Sequence, residues 1–462
     1  MASDLQSFRQ TFKGDVVTED HPDYEASITR WALNSIRRAK VVAFVKDASD
    51  VALAIQYAKS AGLPIAIRSG GHGASGSSSI EGGLVVDLSR HLNKVTVDPE
   101  SRLAYVQGGA LWRTVDETAI KHGLATVAGT VSHVYGLITG GGYGWLSPRY
   151  GLSIDNLIRA TVVTADGSIL TASKDENPDL FFGIRGGGSN FGPVTEFVLQ
   201  CHPQRATVYS GVLVYMRDQV DDVAKVLDEW YKKDPIDEAI HLLFTRTPDG
   251  HPCMGVQVFY NGSEEEGRQK FKAFHDLKPA MDLSQEIPYE SLNSSQDHMT
   301  APGKPYYYRG TLRSPDTFQC VNTAVFDSVT AASESGELQV SLVFEYVNQS
   351  KINSVDPRAT PYRRDLPGNA LCLVSWSADA PKETEEVRRV AKALCDTITA
   401  PSAPSIGYGN YSPDSAALPV EGSVPSDRAK EMYRENYPKL QQIKRKYDPE
   451  MIFNKWFVIT PA

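Results

Sequence analysis

The sequence predicts an α+β fold made of two regions that differ in composition and in the order of their elements. Up to about residue 200, helix and strand signals alternate and glycine occurs in clusters at 70–76, 140–142 and 186–188. From about residue 205 the glycine clusters stop. Residues 205–400 then mix strand-like runs with helical stretches, a pattern typical of an antiparallel sheet with helices on one face.

Local signals predict the individual elements. Ser49 is a candidate N-cap for a helix that ends at Gly62, and Gly123 ends a second helix. The Asp166-Gly167 pair between two strand-like runs predicts a hairpin. In chain order the expected elements are a helix at 49–62, strands at 64–67, 84–88 and 103–106, a helix at 111–122, a hairpin at 162–170, and strands at 209–215, 255–260, 338–346 and 371–376.

The C-terminal stretch at 425–447 has a helical pattern, with apolar and aromatic residues at helical spacing from Tyr433 to Tyr447. Pro438 lies inside this pattern. Because its ring and its missing N–H disrupt a helix interior, we expect a kink or a split into two helices.

Composition and charge exclude several classes of function. The net charge of −9 and the isoelectric point near 5.6 argue against nucleic acid as a partner. The sequence has no apolar run of the roughly 20 residues that a membrane span needs, and it begins without a signal-peptide pattern. We therefore expect an intracellular, cytoplasmic protein. The five cysteines are scattered without a CxxC pair, which predicts neither a metal site nor a disulfide framework.

The glycine-rich run after the strand at 64–67 matches G-x-G-x-x-G from Gly71 to Gly76. A dinucleotide fingerprint requires a helix directly after the glycines, and a βαβ crossover takes at least about 10–12 residues. Only Ser77–Gly83 lie before the next strand, which argues against a nicotinamide-dinucleotide site. A run of small residues can still form a nest of N–H groups that binds a pyrophosphate. Taken alone, His72 in this run is more often an ordinary loop histidine than a nucleophile.

A set of motifs in a fixed order carries a family resemblance over nearly the whole chain. The motifs are Arg68-Ser-Gly-Gly-His72-Gly, Leu84-Val-Val-Asp87-Leu, Gly129-Thr-Val-Ser-His133, Gly140-Gly-Gly-Tyr-Gly-Trp-Leu146, Tyr150-Gly-Leu-Ser-Ile-Asp155-Asn156-Leu, Asp179-Leu-Phe-Phe-Gly-Ile-Arg185-Gly-Gly-Gly-Ser-Asn190-Phe-Gly192, Tyr408-Gly-Asn410-Tyr411 and Lys446-Tyr447-Asp448-Pro449. In order and spacing they resemble the berberine-bridge-enzyme-like flavoproteins, a branch of the vanillyl-alcohol-oxidase superfamily. The middle third matches only in general pattern.

The resemblance implies a PCMH-type FAD-binding domain formed by 1–204 and by a C-terminal return at 405–462, with a substrate-binding domain inserted at 205–404. It implies FAD bonded through its 8α-methyl to His72, where a neutral imidazole is a competent nucleophile. The other residues that the family pattern places around FAD are Arg68, Ser69, Gly70, Gly71, Gly73, Gly129, Thr130, Ser132, His133, Gly136, Gly140, Gly141, Gly142, Tyr143, Gly144, Asp155, Asn156, Val194 and Asn410.

Many relatives carry a second covalent link, to a cysteine that precedes the glycine run at 140–142. The equivalent segment at 129–139 has no cysteine and is shorter than in single-link relatives, so we expect a single link. The shortening leaves open what covers the flavin C4a edge, where dioxygen approaches. Val134 and Tyr135 are the candidates for that position.

By the same pattern, Tyr411 is the catalytic base. A tyrosine hydroxyl is a poor base at its usual pKa of about 10, so a nearby cation or the flavin charge has to lower it. A half-buried aromatic residue without a catalytic role is the alternative. Weaker candidates for substrate contacts are Tyr306, Tyr308, Arg309 and Trp376, and the alternative for the tyrosines is a strand with one aromatic face.

Two further positions have two interpretations each. His133 is compatible with a polar contact to the flavin and with an ordinary residue at a helix start. Arg363-Arg364 stands where many relatives have a histidine before an arginine, and we interpret it as a solvated basic pair.

The resemblance implies a two-electron oxidation, in which a base removes a proton while hydride passes to flavin N5. We expect an oxidase that returns the electrons to dioxygen as hydrogen peroxide, and the alternative is a dehydrogenase with another acceptor. Sugar oxidases of the family generally carry the cysteine link and a secretion signal, which favours a small aromatic, alkaloid-like or polyketide-like substrate over an oligosaccharide. A flavin-binding protein without turnover is the non-enzyme alternative, and the oligomeric state stays open.

Overall fold

The computed structural model describes residues 2–132, 137–247, 249–297, 300–379, 385–400, 403, 406–413, 415 and 426–462. In the N-terminal region the elements are α1 (Ala2–Thr11), β1 (Asp15–Val17), α2 (Tyr24–Ile28), β2 (Val41–Phe44), α3 (Ala48–Ser60), β3 (Ile65–Arg68), β4 (Leu84–Asp87), β5 (Val95–Asp98), β6 (Leu103–Gln107), α4 (Trp112–Ala119), β7 (Leu124–Ala125), α5 (Ser147–Tyr150), β8 (Leu157–Val163), β9 (Ile169–Ser173), α6 (Pro178–Ile184), β10 (Val194–Gln200) and β11 (His202–Pro203). Within the described ranges, no helix has the length and apolar character needed to cross a bilayer.

The following region contains β12 (Thr207–Tyr215), α7 (Val220–Tyr231), β13 (Glu238–Arg246), β14 (Pro252–Tyr260), α8 (Glu264–Lys270), α9 (Lys272–Asp276), β15 (Met281–Asp282), β16 (Gln285–Pro288), β17 (Tyr306–Leu312), α10 (Thr317–Cys320), α11 (Thr323–Ala332), β18 (Leu338–Tyr346), α12 (Ser350–Asn353), β19 (Asn369–Trp376) and α13 (Glu385–Ile398). The C-terminal stretch forms α14 (Ser426–Tyr433) and α15 (Tyr437–Tyr447).

Strands of the N-terminal region form three small sheets in the described part of the chain. β2, β4 and β3 pair in parallel, with β1 antiparallel at the edge. β5, β6, β10, β8 and β9 follow one another in an antiparallel sheet, and β11 pairs with β7. The predicted hairpin is confirmed, because β8 and β9 pair across a turn that contains Gly167 at φ +85°. The predicted cap is wrong, since α3 begins before Ser49 and the Asp47 carboxylate caps its first turn.

The region after residue 205 is built on one antiparallel sheet, in the order β15-β12-β14-β13-β18-β19-β17 with β16 also on β12. Helices cover one face, where Leu227 of α7, Leu394 of α13 and Phe344 of β18 share an apolar core. Side chains alternate between the faces of a strand, so Glu345 points away from these helices. Its hydrogen bond to Tyr143 shows that this second face lies against the N-terminal region. The predicted α+β class is confirmed.

The C-terminal helices return to the N-terminal region. Pro438 lies in the first turn of α15 and separates it from α14, as predicted. Tyr433 and Leu440 of these helices share an apolar core with Phe181 of α6 and Leu199 of β10.

A buried ion pair fastens α15 to its surroundings. Lys444 and Asp448 have fully buried side chains whose charged groups lie 2.5 Å apart. The ammonium group of Lys444 also donates to the carbonyl oxygens of Asn190 and Phe453, so it makes three hydrogen bonds to protein oxygens in place of water. Two residues further on, the exposed Lys446 makes an ion pair with the partly exposed Asp179.

We expect Lys444→Met to destabilise the protein by about 3–5 kcal/mol, because it leaves the Asp448 carboxylate buried without its counter-charge. Urea unfolding of the purified protein measures this change. Lys446→Met is the matched control on the same helix, and loss of its exposed ion pair is expected to cost about 0–1 kcal/mol. Equal losses in the two variants would contradict the structural role of the buried pair.

Candidate active site

The loop at 69–79, directly after β3, has backbone hydrogen-bond donors without an acceptor among the described residues. Gly71 and Gly76 have φ values of +69° and +79°, in the left-handed region that glycine tolerates best. The backbone N–H groups of Gly70, Gly71 and Gly73 donate to no described residue. N–H groups that lie close together in a loop of small residues can form a site for an anion.

Positive charge beneath this loop exceeds negative charge. Arg30 is buried and donates to the carbonyl of Ser78, and burial lowers the pKa of its guanidinium to about 9. Arg68 pairs with buried Asp87 at 2.8 Å, whereas Arg30 makes no ion pair with any described residue. The buried hydroxyls of Ser78 and Ser79 have no hydrogen-bond partner among the described residues. The Arg30 guanidinium without a counter-charge and the two serine hydroxyls without partners in the described part of the chain lie beside the glycine loop. Such positive charge and hydrogen-bond donors fit the pyrophosphate of FAD.

His72 lies in the same loop, between the N-terminal region and the large sheet. Its ring stacks on Trp31 with centroids 4.1 Å apart and planes inclined by 16°. Tyr308 reaches the loop from β17, and its hydroxyl accepts a hydrogen bond from the Ala74 N–H at 3.2 Å. The loop is therefore held from both sides by aromatic side chains.

A buried carboxylate lies on the sheet face that is turned toward the N-terminal region. Glu345 in β18 is 2% exposed and accepts hydrogen bonds from the hydroxyls of Tyr411 and Tyr143, each at 2.8 Å, and from Asn369. Burial raises the pKa of Glu345 to about 7, although the three hydrogen bonds lower it. Burial and the neighbouring carboxylate raise the pKa values of Tyr411 and Tyr143 well above their usual value. Both phenols are therefore protonated at neutral pH.

The glycine run at 140–142 packs against the segment that carries Tyr411. The Gly142 N–H donates to the hydroxyl of Tyr408, to which Asn410 also donates at 2.6 Å. A Cβ added to Gly140 would lie 2.2 Å from the Asn410 side-chain oxygen, so only glycine permits this approach. The two sequence motifs predicted to line the cofactor site are thus brought into contact.

The surface around Glu345 is apolar. Val343 lies on the same face of β18, and Leu371 and Leu373 lie on the same face of β19 as Asn369. These three side chains and Tyr308 are half-buried. They form a surface with the buried carboxylate at one end and the His72 loop at the other.

Comparisons with known proteins agree with this geometry. A family model described as an FAD binding domain matches residues 39–173, and one described as berberine and berberine like matches residues 407–455. The chain is 32% identical to the FAD-linked oxidoreductase pgmH of Aspergillus terreus, over 99% of this chain and 96% of that protein. The chain belongs to the berberine-bridge-enzyme-like family of FAD-linked oxidoreductases.

A bacterial relative and a solved bacterial structure match over nearly the full length. The (R)-6-hydroxynicotine oxidase of Paenarthrobacter nicotinovorans is 28% identical, over 98% of this chain and 97% of that protein. The crystal structure of 6-hydroxy-D-nicotine oxidase from Arthrobacter nicotinovorans superimposes with a TM-score of 0.84 at 26% identity, and the match covers 98% of this chain and 99% of that one. The predicted family and the prediction that this protein is an enzyme are confirmed.

Several predicted FAD residues of this oxidoreductase meet around the strand ends. The Ser69 hydroxyl donates to the carbonyl of Gly108 at 2.5 Å, and a Cβ on Gly108 would lie 2.1 Å from the carbonyl oxygen of Val194. Gly144 lies against the backbone of Gly129. Thr130 and Gly141 are also buried. The predicted residues His133 and Gly136, together with Val134 and Tyr135, lie outside the described residues.

Other predicted FAD residues bind protein groups. Asp155 accepts two hydrogen bonds from the Arg364 guanidinium, at 2.9 and 2.7 Å. Asn156 donates to backbone carbonyls within its own loop. Ser132 donates to Asp297, which lies in the region after residue 205, at 2.7 Å. The contacts of Asp155 and Ser132 tie the N-terminal region to the rest of the chain.

The interpretation of Arg363-Arg364 as a solvated pair is wrong. Arg363 is 7% exposed and Arg364 is 4% exposed. Arg363 donates to the carbonyl of Ile406 and pairs with Asp365, while Arg364 pairs with Asp155. Burial is possible because each guanidinium has a carboxylate partner, Asp365 two residues further on for Arg363 and the distant Asp155 for Arg364.

The weaker substrate candidates lie in different places. Tyr306 is 2% exposed beneath Trp31, and Trp376 belongs to the core on the helix-covered side of the sheet. Arg309 lines a separate cavity of about 240 Å³. Tyr306 shares a cluster with Tyr308 and Leu373 but is itself buried, and Trp376 and Arg309 do not belong to that cluster. The substrate role of these three residues stays a prediction.

The sequence analysis missed Arg30, Trp31 and Glu345. A signal existed for Glu345, since it is a lone carboxylate in the apolar run Leu338–Tyr346, at a position that alternates with Leu342 and Phe344. No comparable local signal exists for Arg30 or Trp31, because the loop that they contact lies about forty residues downstream.

Proposed function

We propose that this protein is an FAD-dependent oxidase that removes hydride from a small organic substrate and returns the electrons to dioxygen as hydrogen peroxide. The proposal rests mainly on the buried Glu345 carboxylate, which accepts a hydrogen bond from Tyr411. This carboxylate lies at one end of the apolar surface, and the His72 loop lies at the other end. When bound, FAD supplies the hydride acceptor at N5.

The donors of the 69–79 loop support the pyrophosphate position, and His72 in that loop supports a single covalent link at the 8α-methyl. The segment at 129–139 has no cysteine for a second link. Ser78, Ser79 and the Arg30 guanidinium add donors and charge on the same side of the loop.

Tyr411 and Glu345 together supply the base. Tyr411 is protonated at neutral pH because its pKa is raised, so it cannot simply take a proton from the substrate. Its hydroxyl already donates to Glu345, however, at 2.8 Å. As the substrate proton arrives on the Tyr411 oxygen, the phenolic proton passes to Glu345. This relay makes the carboxylate, with a pKa near 7, the effective proton acceptor.

The chemistry of the surface supports a substrate with an apolar ring, such as an aromatic, alkaloid-like or polyketide-like metabolite. The half-buried side chains that flank Glu345 on this face are Val343, Leu371, Leu373 and Tyr308. A sugar ring would lose hydrogen bonds to water against such a surface.

Covalent attachment is tested by acid precipitation. The precipitate of the wild-type protein is expected to stay yellow, and peptide mass mapping is expected to place one FAD on the peptide that contains His72. His72→Ala is expected to bind FAD reversibly, because the backbone donors of the loop are unchanged. A white precipitate with all FAD in the supernatant would refute the link.

The relay predicts a slow reductive half-reaction in Tyr411→Phe. General base catalysis contributes about 10²–10⁴-fold, so anaerobic flavin bleaching by substrate is expected to slow by that factor while FAD content is unchanged. Tyr437→Phe is the matched control, because it removes a buried phenol that bonds Thr460 away from the site. A loss of FAD from Tyr411→Phe would instead place this residue in the cofactor's supporting structure.

The same relay predicts the pH dependence. Only the ionised carboxylate accepts a proton, so with a non-ionising substrate the bleaching rate is expected to rise with pH and to level off above about 7. In Glu345→Gln the rate should be low and this ionisation should be absent from the profile. A profile that keeps the same inflection in Glu345→Gln would assign the ionisation to another group.

The oxidase assignment is tested by the fate of reduced flavin. After reduction with dithionite, exposure to air is expected to restore the oxidised spectrum within seconds and to release hydrogen peroxide. Slow reoxidation would favour a dehydrogenase. A substrate panel of aromatic amines, phenols and oligosaccharides, followed by anaerobic bleaching, then tests the substrate class. Bleaching by oligosaccharides alone would overturn the apolar-ring substrate, and bleaching by none would favour a binding protein.

A further inference from the structure

Three stacked rings connect the His72 loop to the large sheet. The His72 ring stacks on the Trp31 ring, with centroids 4.1 Å apart and an angle of 16° between the planes. Tyr306 of β17 stacks on Trp31 at 4.1 Å and 14°. Both angles are close to parallel, so Trp31 sets the plane in which the imidazole lies.

Trp31 is itself held in one orientation. Its indole N–H donates to the carbonyl of Thr300 at 2.6 Å, and its backbone N–H donates to the carbonyl of Gly71, next to His72. Asn34 binds the backbone of Tyr306 twice, accepting from its N–H at 2.9 Å and donating to its carbonyl at 3.0 Å. Turning the indole would break its bond to Thr300 and its stacking on Tyr306, so these two contacts hold the ring plane of Trp31.

This arrangement suits the bond that His72 is proposed to make. Attack by a neutral imidazole on a carbon atom places positive charge on the ring until its N–H proton is lost. An indole face stabilises such charge, and a fixed ring plane removes the orientational entropy from the attack. Aromatic stacking of this kind also adds favourable energy beyond the area that it buries.

We infer that Trp31 is a positioning residue for covalent attachment of FAD to His72, an inference that rests on the proposed covalent link. The bond forms between an imidazole nitrogen and the 8α carbon of the flavin, while one proton leaves the nitrogen and one leaves the carbon. The two electrons released pass through the flavin to dioxygen, which is the oxidant and becomes hydrogen peroxide. Trp31 orients the nucleophile and does not contribute to non-covalent FAD binding.

The test measures how fast acid-stable flavin forms. Full-length apoprotein, produced under riboflavin limitation, is mixed with FAD in air, and timed samples are precipitated with acid. Trp31→Leu is expected to slow the formation of acid-stable flavin by about tenfold. Trp31→Phe, which restores an aromatic face, is expected to stay within about threefold of the wild type. Phe8→Leu is the matched control, because it removes a stacked ring from the Phe8–Tyr57 pair elsewhere in the N-terminal region.

A second set of variants separates positioning from folding and from binding. In the His72→Ala background, Trp31→Leu is expected to change the dissociation constant of FAD by less than about threefold. Tyr306→Leu keeps the Trp31 indole but removes the tyrosine ring that stacks on it, and it is expected to slow attachment by about threefold. This variant keeps the inference testable if Trp31→Leu does not accumulate.

Three outcomes would overturn the inference. Trp31→Leu or Tyr306→Leu could attach FAD at the wild-type rate. Trp31→Leu, Trp31→Phe and Phe8→Leu could all slow attachment equally, which would indicate general loss of packing. Wild-type protein could form no acid-stable flavin at all, which would remove the covalent link and with it this role of Trp31, and would be recognised before any variant is compared.

Discussion

The buried carboxylate of Glu345 is the interaction on which the arrangement of the site depends. It lies in the central part of the large sheet, yet its hydrogen-bond donors include Tyr143 from the N-terminal region and Tyr411 from the C-terminal return. A buried carboxylate without donors is strongly destabilised, so these groups are held together as one unit. Chain segments far apart in sequence therefore meet at one point, which fixes the phenol of Tyr411 relative to the sheet.

Features that depend on neighbouring residues could be predicted from the sequence. The Asp166-Gly167 turn and the break at Pro438 each follow from backbone chemistry within a few residues, and both occur where expected. The glycine loop around His72 was found in the same way, because the short connection before the next strand excluded a helix. The order of these motifs was specific enough to indicate the family that the comparisons then showed.

Features that depend on distant partners could not be predicted in this way. Arg364 resembles a surface residue in sequence, but Asp155 lies opposite it in the fold and makes its burial possible. Tyr411 was identified by its motif, whereas the carboxylate that accepts its proton comes from another strand and was not. Trp31 has no motif at all, and only the folded chain brings its ring onto His72. Local patterns thus indicated the side chains for which a reactive role is proposed and not the groups that contact them in the fold.

The backbone donors of the 69–79 loop also bear on how much of this protein a cell can maintain. An anion that binds here would pair N–H groups that have no acceptor among the described residues and would offset the charge of the buried Arg30 guanidinium. A ligand that binds only the folded state stabilises it by about 2.7 kcal/mol at a free concentration one hundred times its dissociation constant. Chains made while flavin is scarce are therefore expected to unfold more often. The amount of folded protein is then expected to depend on how much flavin is available when the chain is made.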